Sequence, residues 1–409
     1  MNSLLNGAGA LTTLAAPIML LGLAFRGPIA QTLRRIAMLV AIGIPTLFLI
    51  GAIAFYRGDP QFDFYVNYQA AIQLYGANGD PYTVHAAYSF PFPTFYLYWL
   101  LGGLHDPLRA WYLWWAVNGV LWAICAILLL RTIPPARTPL LRDLRWFVCA
   151  AIPAMVVLWQ GQTAIFILVG LVALHYALTY PSRFSLIIGS AGLAFAALIK
   201  PQLALVGLGL LIWSAAIAVR EPDRRPEVIR VVLLSISAAG IAGLAIALTL
   251  LLPGGVNFDT YKAFINEALP QVARASDGLV IGSPAFVASV IANGLGASNA
   301  ISDLVSTIVT VIMLAVAAWW GWQHRHQGAV NAAAGWGVWA MVIPRVAWTW
   351  YAAWCLPFFL LRLRSDRVTA PLTVILLGLL SLQLSSLIIA CGTILGLIYL
   401  LWTLGVVRD

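Results

Sequence analysis

Three charged side chains stand at positions where they could act together on a hydroxyl and a phosphate, in a chain that is 62% hydrophobic and only 9% charged. Asp63 opens the stretch "FDFYVNYQAAIQLYG", just after a hydrophobic run. A carboxylate there can take a proton from a hydroxyl about to act as a nucleophile. It can equally cap the helix that follows. Lys200, in "LIKPQ", lies between two apolar runs with Pro201 forcing a break. A charge placed so deep is costly and tends to be functional, and it can pair with a phosphate or snorkel to an interface. Arg345, in "PRVAW", can grip phosphate oxygens bidentately or pair with an acid. Gln160 and Gln162 flank Gly161 in a tight hairpin, where neutral amides can bind ligand hydroxyls or cap the turn. Trp348, Trp350 and Tyr351 follow Arg345 as a platform for a ring or a lipid chain, or as an aromatic belt. His85 is placed to touch a substrate. His324 and His326 have no third ligand near in sequence, so no metal is expected, and no cofactor motif is present.

What must position these residues is an array of apolar helices. Runs of the roughly 17–25 residues that cross a bilayer recur along the 409 residues. They lie near 36–56, 110–130, 146–159, 163–180, 184–199, 201–219, 231–252, 301–322, 328–343, 348–361, 368–389 and 390–406. The run 4–25 is either another span or an interfacial helix. The expectation is an all-α polytopic membrane protein with about 12–13 transmembrane helices, residues 1–409 forming one membrane domain. No cleavable signal peptide is expected, because the start lacks a basic n-region and a small-x-small site. Cys125, Cys149, Cys355 and Cys391 all sit in apolar runs without a CxxC pair and read as small buried hydrophobes.

Arginines set the orientation. If 91–104 does not cross, 17 of the 23 basic residues fall on one side, mainly in 131–145, 220–230 and 362–367. By the positive-inside rule that side is the cytoplasm. The net charge of +9 follows from these loops, so no nucleic-acid partner is expected. Residues 57–109 and 253–300 then form two external loops holding most of the acids, among them Asp59, Asp63, Asp80 and Asp259.

The first loop has structure of its own. Phe64, Tyr68, Ala71 and Tyr75 recur at helical spacing and give a face that can lie on the membrane. Gly76, Asn78, Gly79 and Asp80 end that helix, and Pro81 restarts the chain. "TFYLYWLLGGL" is a second aromatic helix, too short to span. Two juxtamembrane helices roof a cavity.

The stretches "FDFYVNYQAA" (62–71), "GDPY" (79–82), "YSFPFPTFYLYWLL" (88–101), "WQGQTAIFIL" (159–168), "GLAFAALIKPQLALV" (192–206) and "IPRVAWTWYAAWCLP" (343–357) occur in an order that resembles the GT-C class of glycosyltransferases. The nearest resemblance is to glycosyltransferase family 87, the polyprenyl-phosphate-mannose-dependent mannosyltransferases of phosphatidylinositol mannoside synthesis. The family's proline-rich element reads "FPFP" here, a departure. The resemblance implies a GT-C-like fold with Asp63 as the general base. It implies inverting, metal-independent transfer of a hexose, mannose by the family, at the outer face of the plasma membrane. The donor is then a polyprenyl-phosphate sugar, and the acceptor is a lipid or glycan hydroxyl. Lys200 and Arg345 would hold the donor phosphate. Gln160, Gln162, Trp348, Trp350, Tyr351 and His85 would line the substrate site. A transporter or lipid flippase and a polysaccharide polymerase or ligase are the competing readings of a chain with many spans and large external loops.

Overall fold

The computed structural model describes residues 14–55, 62–84, 90–102, 106–152, 163–251, 255–268, 283–344, 349–381 and 387–403. Among them are seventeen α-helices and no strand. In chain order these are α1 (Ala15–Ala24), α2 (Gly27–Phe55), α3 (Phe62–Ala77), α4 (Thr94–Gly102), α5 (Pro107–Thr132), α6 (Pro139–Ile152), α7 (Ala164–Thr179), α8 (Arg183–Ile199) and α9 (Ala204–Arg220). They continue with α10 (Arg225–Leu251), α11 (Phe258–Ala263), α12 (Pro284–Gly294), α13 (Asn299–Gln323), α14 (Ala329–Val342), α15 (Leu356–Arg362), α16 (Thr369–Ser381) and α17 (Leu387–Thr403).

The four helical stretches Pro107–Thr132, Pro201–Arg220, Pro222–Leu251 and Asn299–Gln323 are long and apolar enough to cross a membrane. Seven more apolar helices have 10–17 residues. The protein is a membrane protein. Among the described residues four helices, not the expected 12–13, are both long and apolar enough to span, and at least one apolar run is interrupted. The run 348–361, for example, divides into a 3₁₀ turn at Thr349–Ala353 and the short α15, with Pro357 in its first turn. Other helices run past the apolar sequence. α2 begins well before residue 36 and carries Arg34 and Arg35 in its interior.

Helix starts follow local chemistry. Asp106 precedes Pro107 and accepts from the Leu108 and Arg109 amides at 3.0 and 3.4 Å. Ser182 with Ser185 closes a capping box on α8, and Asn257 with Thr260 closes one on α11. The packed interior is aromatic and small by turns. A Cβ at Gly209 would collide with the Trp336 ring, and one at Gly335 with the Trp320 ring, so α9, α13 and α14 interlock ring into notch. α7 and α8 approach still closer, since a Cβ at Gly170 would collide with the Gly192 carbonyl oxygen and one at Gly192 with the Gly170 carbonyl oxygen.

One end of the bundle is knit by arginines. The Arg34 Nε donates to Asp143 at 3.1 Å. Arg145 donates to the Pro134 carbonyl, and the His175 Nε2 meets the Thr132 hydroxyl at 2.8 Å. Arg230 donates to the Ala177 carbonyl and to the Ser185 hydroxyl, Trp213 donates to the Arg325 and Gln327 carbonyls, and Arg362 donates to the Gln327 side chain. These contacts tie the end of α5 and the segment after it to α7 and α6, α10 to α7 and α8, and the 323–329 connection to α9 and α15.

Candidate functional site

The first loop folds largely as its spacing predicts. α3 ends at Ala77, Asn78 takes a positive φ of 52°, and the Gly79 amide reaches back to the Gln73 carbonyl at 2.9 Å. Asp80 then accepts from the Tyr82 amide at 2.9 Å to cap a 3₁₀ turn at Pro81–Thr83. α4 has 9 residues, about 14 Å of helix, which is less than half a hydrocarbon core.

The aromatic stripe of α3 faces the protein and not the bilayer, which corrects the expectation. Phe64, Tyr68 and Ala71 are fully buried. The Phe64 ring meets Tyr68, Tyr98 and Trp114, each at 5.8 Å, and Tyr98 stacks on Trp114 at 4.3 Å and 9°. The partners on α4 and α5 offer more aromatic surface than a lipid interface does, and such pairs add stabilisation beyond area burial. This stack holds the first turn of α3. Asp63 is the second residue of that helix, inside its start and not ahead of it, where the helix dipole favours a negative charge. Its side chain lies outside the described residues.

Lys200 sits at the break between α8 and α9. Its amide donates to the Ala196 carbonyl at 3.0 Å, and its carbonyl accepts from the Leu203 amide at 2.9 Å. The backbone is therefore held on both sides, in an extended conformation, with Pro201 starting a 3₁₀ turn. The ammonium lies over the Tyr351 ring, 5.7 Å from its centroid. Tyr351 is buried and stacks on Trp354 at 4.0 Å. Two residues singled out in sequence, far apart along the chain, thus meet. A cation over an aromatic face gains about 0.5–2 kcal/mol and keeps its N–H donors for another partner. Among the described residues no carboxylate forms an ion pair with Lys200. Trp350 lies in the same 3₁₀ segment, with its side chain outside the described residues. His85, Gln160, Gln162, Arg345 and Trp348 lie outside the described residues.

A second feature was missed in sequence. The end of α3 and the start of α11 enclose a cleft of about 410 Å³ lined by Asn78, Asp80, Asn257, Asp259 and Thr260, with Leu74 and Gly255 beneath. Aromatic contacts clamp its walls. Tyr82 meets Phe264 at 5.9 Å, and Phe90 meets Tyr261 at 5.6 Å and Phe264 at 5.3 Å. Gly255 has a φ of 77° and lies on the Tyr75 ring, so it needs both the left-handed backbone and the missing Cβ. Burial pushes the Tyr75 and Tyr82 phenols up, with Asp80 adding to the rise at Tyr82, so both stay neutral. The only signal for this cleft in the sequence was turn chemistry, "ANGD" and "GGVNFD", in two places far apart.

No family model matches the chain, and no curated protein or solved structure is significantly similar to it.

Proposed function

We propose that the protein is a multi-pass glycosyltransferase of the GT-C type that moves a hexose from a polyprenyl-phosphate donor to an acceptor hydroxyl. In this reading the arginine-knit end faces the cytoplasm, as the positive-inside rule requires, and the first loop faces outward. The observation that supports it most is Lys200 over Tyr351. A lysine is fixed by its backbone at a helix break, carried on an aromatic face, and left without a carboxylate among the described residues. That is a cation kept for an anionic ligand.

The chemistry then divides among few groups. Asp63 takes the proton from the acceptor hydroxyl. The oxygen attacks the anomeric carbon from the side opposite the phosphate, the carbon–oxygen bond to the phosphate breaks, and the configuration inverts. The leaving phosphate monoester is held by Lys200 and Arg345, and such charge neutralisation supplies the main transition-state stabilisation. Tyr351 supplies ring surface beneath the Lys200 ammonium. A helix pair interrupted at a lysine also suits a transporter, so the test must separate the two.

Purified full-length protein is given a panel of polyprenyl-phosphate hexoses with lipid and glycan acceptors. Product with inverted configuration is expected for at least one donor. Absence of transfer from every donor, with passage of the same donors across proteoliposomes, would replace the transferase by a transporter.

A further inference from the structure

We propose that a single buried water, bound between α7, α14 and Trp354, is a fixed part of this protein and holds up the seat of Lys200. The water itself stands on geometry alone, and only its bearing on donor binding rests on the transferase reading.

Two helices and one turn enclose the place. Leu171 and His175 come from one face of α7, and Ala333, Ala334 and Gly337 from one face of α14, while Trp354 closes the third side. The cavity has a volume of about 20 Å³. One water needs roughly 10–15 Å³, so one fits and a larger ligand does not. Small side chains make the room. A Cβ at Gly337 would meet nothing within 4 Å beyond its own helix backbone and chain neighbours.

Hydrogen-bond direction says what the cavity must hold. The Thr132 hydroxyl has one proton and gives it to the Leu129 carbonyl at 2.9 Å. Its contact with the His175 Nε2 at 2.8 Å is then a hydrogen bond only if Nε2 carries the proton and donates. A neutral imidazole protonated at Nε2 has a bare acceptor at Nδ1. His175 is 4% exposed, which shields that acceptor from bulk solvent. Trp354 is 1% exposed, and its Nε1–H has no oxygen or nitrogen acceptor among the described residues. The Cys355 sulfur beside it is a weak acceptor. A donor and an acceptor, each costly to leave unmade, thus border the same small cavity. One water satisfies both, accepting from the indole and donating to the imidazole. No apolar occupant does.

The contacts then close a circuit. The Trp354 ring stacks on Tyr351 at 4.0 Å, and Tyr351 carries the Lys200 ammonium at 5.7 Å. Lys200 ends α8, and α8 lies backbone to backbone on α7 at Gly170 and Gly192. The water ties α7 back to Trp354, and so fixes the ring on which the lysine's seat leans.

Solid-state NMR on full-length protein with isotope-labelled His and Trp, in proteoliposomes, tests the site, with His175→Leu and Trp354→Phe assigning the signals. The His175 proton is expected on Nε2, and magnetisation is expected to pass from water to the Trp354 indole N–H. A proton on Nδ1, or no transfer from water, overturns the site. Melting gives a second reading. Alanine inside a helix ordinarily stabilises relative to glycine, and a methyl at position 337 would fill a dry void. With a water there, Gly337→Ala is expected to lower Tm by a few degrees, and to raise it in the His175→Leu background, where the acceptor is gone. A rise without the His175 change overturns the water, and so does an equal fall in both backgrounds, which is a plain clash. In the transfer assay Gly337→Ala is expected to raise the donor KM roughly two- to tenfold, the range for one lost hydrogen bond, with the acceptor KM unchanged. An unchanged donor KM overturns the support of Lys200. If the wild type transfers from no donor, the transferase reading falls, and NMR and melting still decide the water.

Discussion

The two ends of the bundle use charge in opposite ways. At the arginine-knit end most described guanidinium contacts go to another part of the same chain. Arg34 goes to Asp143, Arg145 to the Pro134 carbonyl, Arg230 to a helix-end carbonyl, and Arg362 to Gln327. At the other end rings hold the elements together, and charges are left over. Lys200 rests on Tyr351, and Asp80 and Asp259 face a cleft. A buried charge without a partner is expensive, so the first end reads as structure. The second end keeps its charges near surface and cavity, where a ligand can meet them.

Four experiments would break or sharpen that contrast. The largest effect is expected at Asp63. Asp63→Asn keeps the size of the residue, gives up the charge that the helix dipole favours, and should lower transfer roughly 10²–10⁴-fold with only a small fall in melting temperature. If the Asn variant transfers normally and only Asp63→Ala is impaired, through lost stability, Asp63 belongs with the structural charges. Next comes Asp143→Ala at the opposite end. It leaves Arg34, whose side chain is only 12% exposed, with the Gly22 carbonyl at 3.2 Å as its remaining described partner, and should cost about 3 kcal/mol of stability in denaturation, with transfer per folded molecule intact. A selective fall in turnover would show that the two ends are coupled. Lys200→Met is smaller. It should raise the donor KM by an amount equivalent to roughly 1.5–3 kcal/mol and leave the acceptor KM alone. Unchanged donor kinetics would reduce Lys200 to a snorkelling residue.

The smallest effect is at His324. Burial, with His326 and Arg362 adding, pushes its pKa below the ordinary 6.5, against an opposing hydrogen bond to the Trp320 carbonyl. The unfolded chain therefore takes up a proton that the folded chain resists. The stability that the neutral ring contributes is present above about pH 6.5 and is lost as pH falls through the depressed folded value. His324→Gln should make the acid loss of stability shallower, read as melting temperature against pH.

Local signals in the sequence were faithful, and those that join distant segments were not there to read. The end of α3 at Asn78 and the restart at Pro81 follow from residues within one turn of each other. So does the break at Lys200, because a lysine before a proline has few conformations. The stripe Phe64, Tyr68, Ala71 was legible as a stripe, but its spacing does not say whether lipid or protein covers it. Tyr98 and Trp114, which do cover it, lie on later helices. Hydropathy placed the start of α2 too late because it stops at Arg34 and Arg35, while the helix continues where Asp143 receives the charge. Lys200 with Tyr351, and Asn78 with Asp259, are meetings across the fold that no window of sequence contains.

The contact of Gly170 with Gly192 has a consequence for traffic from the bilayer. Where a methyl group cannot fit between two backbones, a hydrocarbon tail cannot pass either. At that depth α7 and α8 pack backbone against backbone, with no room for a hydrocarbon tail between them. If the transferase reading holds, a prenyl chain bound for Lys200 would come in through another gap in the wall. Widening this one with alanine would splay the helices without opening a door, because each new methyl would plug the space it made.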